Sequence, residues 1–110
     1  MKHWFVALGI GAALCLPLGA QDAGNALNGK KLFLKNGCYE CHGTVGQGGT
    51  GPRLAPPPLP APALTAYVRK PENGMPPYSA KVMSDGEVAD IRAYLSTIPE
   101  PPKNIPLLNP

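Results

Sequence analysis

The chain has 110 residues, enough for one small domain. Its formal charge is only +3, which gives no dense basic patch of the kind nucleic acid requires. Fifteen prolines and thirteen glycines leave few residues for a large apolar core, and three cysteines cannot build a disulfide framework.

Residues 1–20 read as an export signal. Lys2 and His3 give a polar start, and an apolar run from Trp4 to Leu18 follows. Leu18-Gly19-Ala20 ends in the small residue a signal peptidase needs, so cleavage is expected near Ala20, and the alternative is retention as an anchor. Cleavage would remove Lys2 and no acid, leaving 9 basic against 7 acidic residues, or +2. Residues 21–98 form the expected domain, and residues 99–110 a proline-rich tail.

Asn25 is placed to cap a helix running to about Asn36, where Asn36-Gly37 supplies a stop. Ala26, Gly29 and Phe33 share one face of it. A glycine there costs about 1 kcal/mol against alanine, which is tolerable where another helix approaches closely. Gly43 to Gly51, with five glycines, reads as a loop, and Ala55 to Ala63 as an extended proline-rich segment. A short helix is expected over Pro62–Lys70, stopped by Pro71. Ser84 and Glu87 form a capping box, with Met83 and Val88 as its apolar staple. The helix after it runs to about Thr97, with Val88, Ile91, Leu95 and Ile98 on one face.

Between the first helix and the glycine-rich loop stands Cys38-Tyr39-Glu40-Cys41-His42. This is C-x-x-C-H, the pattern of covalent haem attachment. Two thiols add to two vinyl groups of one macrocycle, which requires a short fixed spacing, and the adjacent imidazole becomes an iron ligand. A zinc site needs four ligands, and the only other Cys and His are Cys15 and His3 in the signal segment. A thiol–disulfide redox motif wants a strand–helix–strand setting that is not found here, and a structural disulfide leaves His42 unexplained. The expected cofactor is therefore one haem c, held through Cys38 and Cys41. A large apolar plate also makes sense of a composition too poor to build a core alone.

His42 supplies one axial ligand. Among the methionines, Met83 is explained by the helix staple, whereas Met75 lies in a loop between Gly74 and two prolines. Met75 is the favoured sixth ligand, with Met83 and an open site as the alternatives. Iron with His and Met on its two faces is coordinatively full, so it carries electrons and makes no bonds. A soft thioether favours the ferrous state and raises the reduction potential.

These features together resemble a small bacterial monohaem class I cytochrome c, over roughly Asn25 to Ile98. Gly29 and Phe33 stand where that family has its N-terminal helix contact, and Ile91, Tyr94 and Leu95 where it has the helix that crosses it. The resemblance implies an all-α cytochrome c fold, three or more short helices around one covalent haem. It implies that Pro52, in Gly51-Pro52-Arg53-Leu54, accepts a hydrogen bond from His42, that Leu54 packs on the haem face, and that Tyr67 lies near the methionine side. Met75-Pro76-Pro77-Tyr78 is similar to the methionine loop of short haem c domains in dehydrogenase and oxidase complexes. The lysines are too scattered to carry over the docking mode of mitochondrial cytochromes c.

The function expected is a periplasmic electron carrier, not an enzyme. It would take electrons from a dehydrogenase and pass them to a terminal oxidase or another cytochrome. The alternatives are a bound cytochrome subunit of a periplasmic dehydrogenase and, from another class, a gas-binding or peroxidatic haem with one open face. No nucleic acid partner is expected, and membrane association only if the signal is retained.

Overall fold

The computed structural model describes residues 24–103. The expected signal over 1–20 and the last seven residues of the tail lie outside them. Four helices and no strand are found among the described residues: α1 (Ala26–Lys35), α2 (Cys38–His42), α3 (Ala61–Arg69) and α4 (Asp85–Ser96).

Helix α1 starts where the Asn25 side chain accepts a hydrogen bond from the Asn28 backbone at 3.1 Å. The start is also held from outside. Asp90 of α4 accepts from the Asn25 backbone N–H at 2.6 Å and from the Asn28 side-chain amide at 2.7 Å. A carboxylate at a helix N-terminus satisfies free N–H groups and faces the positive end of the helix dipole. The end of α1 is set by Gly37, whose φ of +75° is open to glycine at little cost. Gly37 is also the N-cap of α2, so the C-x-x-C-H helix follows α1 with no linker.

Helices α1 and α4 make the main packing contact of the domain, as expected from the face carrying Gly29 and Phe33. Gly29 is buried, and a Cβ built on it would fall inside the van der Waals shell of the Asp90 carbonyl oxygen. Beside this contact the rings of Phe33 and Tyr94 meet at 5.6 Å between centroids, tilted by 58°. Phe33, Val88 and Leu95 are the largest fully buried side chains, and Leu32, Ala55, Val68, Met83, Ile91 and Tyr94 complete the cluster. Burying an aliphatic or aromatic side chain of this size contributes about 1.5–3 kcal/mol.

The capping box of α4 is formed in both directions, Glu87 N–H to Ser84 Oγ at 3.2 Å and Ser84 N–H to Glu87 Oε2 at 2.8 Å. Met83 and Val88 on either side of it are both buried in the core. The helix itself ends at Ser96, and Ile98 still packs partly against the core beyond it. Helix α3 begins at Ala61, one residue before the expected start at Pro62 and inside the segment Ala55–Ala63 read as extended. Ala61, Pro62 and Ala63 are thus its first turn and not extended chain, because a proline in that turn lacks only an N–H that the helix would not have used. No described helix is long and apolar enough to cross a membrane.

Gly29→Ala tests the crossing. In an open helix the change gains about 1 kcal/mol. Here the added methyl must push α4 away, and overpacking costs about 1–3 kcal/mol. A net loss of stability in denaturant unfolding is expected, and a net gain would show that the backbones are not in contact.

Candidate functional site

The C-x-x-C-H sequence folds as the five-residue helix α2, which puts Cys38, Cys41 and His42 on one short rigid element. Cys38 is half-buried and Cys41 exposed, and both are free thiols. Burial pushes the Cys38 thiol up from its ordinary range, only partly offset by a backbone hydrogen bond. A thiol of the disulfide-exchange kind needs the opposite shift, toward thiolate. Among the described residues no group of three or more His, Cys, Asp or Glu side chains is placed to hold a metal ion.

His42 is buried, at 7 % exposure, and its Nδ1 lies 2.8 Å from the carbonyl oxygen of Pro52. A carbonyl can only accept, so Nδ1 carries the proton and the Nε2 lone pair is left for a metal. The Pro52 contact is thus formed as the resemblance implied. The loop after α2 builds it from backbone bonds. Gly48 N–H donates to the His42 carbonyl at 2.7 Å, Gly51 N–H to that of Cys41 at 2.8 Å, and Leu54 N–H to that of Gly46 at 2.8 Å. Gly51 lies close to the imidazole. A Cβ there would sit 2.8 Å from His42 Cε1 and 2.9 Å from Nδ1, so any side chain would displace the ring or the loop.

Leu54 and Met75 are both half-buried against the core cluster, as are Cys38, Leu64, Tyr78 and Ile98. Tyr67 on α3 is 38 % exposed. The reversal before Met75 uses two left-handed residues in succession, Asn73 at φ +58° and Gly74 at φ +81°. Three residues later, the Tyr78 hydroxyl donates to the Asn36 carbonyl at 2.7 Å. Asn36 caps the helix that leads into α2, so this bond ties the methionine loop to the neighbourhood of the cysteines. Burial pushes the Tyr78 phenol up from its usual range, and the Cys38, Cys41 and Glu40 charges add to the shift.

This set fits a covalent haem: two thiols at fixed spacing, an imidazole held in the right tautomer, and a ring of half-buried apolar side chains around a small core. Cys38 and Cys41 would hold the macrocycle and His42 the iron. Sequence reasoning missed Tyr78, whose partner Asn36 is 42 residues away, and the role of Asp90 at the start of α1. The only local signal for Tyr78 is its place after Met75-Pro76-Pro77.

The model of one family, described as "Cytochrome C oxidase, cbb3-type, subunit III", matches residues 24–95. No curated protein and no solved structure matches the chain.

Gly51→Ala is expected to weaken the His42–Pro52 bond and make the imidazole a less basic ligand. Less basicity favours the ferrous state, so the potential of the holoprotein should rise. A spectroelectrochemical titration that finds no change would remove Gly51 from the support of the ligand.

Proposed function

The chain belongs to the family of cbb3-type cytochrome c oxidase subunit III, and from that premise we propose that it is an exported, periplasmic carrier of single electrons. The observation that carries this reading is the imidazole of His42, buried and bonded through Nδ1 to Pro52 beside the two free thiols of α2. Membership of the family supports electron transfer on haem c. The family description supports an oxidase as a partner, and a dehydrogenase as the electron source is the complementary half of such a chain.

When bound, haem supplies an iron that alternates between ferric and ferrous states. The chain does the rest. Cys38 and Cys41 would hold the group so that it cannot diffuse away, which matters outside the cytoplasm. His42 would bind the iron through Nε2, with Pro52 holding the ring through Nδ1. Met75, half-buried against the core, would be the second side chain to hold the iron, leaving it closed to small molecules. Met83 is 2 % exposed inside the core, which accounts for it as a packing residue. Leu54, half-buried against the core, would lie against the group and lower the local dielectric, favouring the less charged ferrous state, and Tyr67 would stand near the methionine side as the resemblance implies.

A second reading is a cytochrome subunit fixed in a larger oxidoreductase complex, an oxidase or a periplasmic dehydrogenase. The family description, which is that of a subunit, favours it. The proline-rich stretch before α3 adds to it, because stiff segments dock at low entropic cost. Purification from the native host separates the two: a monomer supports the mobile carrier, and co-purification with such an enzyme supports the subunit.

Met75→Ala and Met83→Ala test the ligand. The first should lower the potential by on the order of 0.2 V, within the roughly 0.8 V range that axial ligands set, and make the ferrous protein bind carbon monoxide. The second should leave the potential in place and cost about 2–5 kcal/mol of stability. The reverse pattern would exchange their roles.

A further inference from the structure

The loop between α3 and α4, residues 70–84, carries Met75 but has little hold on it. Pro71, Pro76 and Pro77 have no N–H, and the Met75 N–H makes only a long 3.4 Å bond to the Glu72 carbonyl. The loop is instead secured at Tyr78, by three separate groups. Its backbone N–H donates to the Val68 carbonyl at 2.8 Å, its carbonyl accepts from Arg69 Nη1 at 3.0 Å, and its hydroxyl donates to the Asn36 carbonyl at 2.7 Å. Arg69 then reaches with Nη2 to Asp85 Oδ1 at 2.6 Å, across the two ends of the loop. Asp85 is exposed but Arg69 is mostly covered, at 22 %.

We propose that Tyr78 and Arg69 are positioning residues for Met75, with Pro76-Pro77 as the stiff spacer that carries the position of Tyr78 to the sulfur. The two prolines fix φ near −65° at consecutive residues, so Met75 cannot swing freely while Tyr78 is anchored. Tyr78 binds α1 beside the cysteine helix and α3 on the other side of the loop, so it sets how far the loop stands from α2. Arg69 holds the carbonyl of Tyr78 and the start of α4 with one planar guanidinium, a two-pronged contact that lysine cannot reproduce. These residues control how often the sulfur leaves the iron, and the proposal rests on the reading of Met75 as a ligand.

The test uses the full-length holoprotein and the variants Tyr78→Phe, Arg69→Gln and Met75→Ala. The readouts are the sulfur-to-iron charge-transfer band of the ferric protein and the rate of carbon monoxide binding to the ferrous protein, with far-ultraviolet circular dichroism as the control for folding. Tyr78→Phe and Arg69→Gln are each expected to keep the helical signal, weaken the band and speed carbon monoxide binding about tenfold, the effect of about 1.4 kcal/mol on the closed state. Arg69→Lys should recover only part of the closed state. If Met75→Ala opens the iron while Tyr78→Phe and Arg69→Gln bind carbon monoxide as slowly as the unsubstituted protein, the positioning role falls and the ligand stands. If Met75→Ala itself changes neither readout, the ligand assignment fails and the positioning role fails with it.

Discussion

The close approach of α1 to α4 at Gly29 is the constraint on which the domain depends. With no side chain between them, the backbone of α1 comes to rest against the carbonyl of Asp90. The contact brings the Asp90 carboxylate to the first turn of α1 and lays Phe33 against Tyr94. One residue therefore sets separation, capping and core contact together. Because Gly37 passes the chain from α1 into α2 without a linker, the placing of α1 also places the cysteines and His42.

The connecting segments are rich in glycine and proline and cannot pair with one another as strands do. Their carbonyls are satisfied by side-chain donors from the helices and the loop itself. His42 binds the carbonyl of Pro52, Tyr94 that of Thr44, Arg92 that of Leu59, Arg53 that of Ala55, and Tyr78 that of Asn36. Among the described residues no buried side-chain nitrogen or oxygen lacks a partner. A small core can be adequate under these conditions, because no buried side-chain polar group adds a desolvation penalty and several loop carbonyls have side-chain donors. A covalently held apolar cofactor would cover the half-buried side chains that the helices leave open.

The same economy shapes the chemistry. The imidazole is held by a carbonyl of a loop that is itself bonded back to α2, so ligand and support form one closed unit. On the other side, Met75 lies in a segment with few bonds of its own and depends on the residues that flank it. On the proposed reading, one iron ligand would come from the rigid part of the fold and the other from a strap attached to it. The rigid side would retain the redox group, and the strap is where the exchange of ligands would be controlled.

Much of this was readable along the chain, because the signals are local. Asn25, the Ser84–Glu87 capping box, Pro71 and the apolar spacing of α4 each act within a turn or two, and C-x-x-C-H is a complete chemical unit in five residues. Gly29 was readable as a place of close approach, since a helix does not otherwise keep a glycine there at a cost of about 1 kcal/mol. The extended reading of Ala55–Ala63 overlapped the expected helix start at Pro62, and the helix takes Ala61–Ala63, because proline is common to both conformations and only the local hydrogen bonding separates them. The resemblance named Pro52, but residue spacing alone does not bring a loop carbonyl to a histidine ten residues earlier. Asp90 on Asn25 and Tyr78 on Asn36 join groups 65 and 42 positions apart, and no pattern along the chain encodes such pairs. Those contacts arise only when the helices have packed, because their geometry depends on the angle and distance between elements.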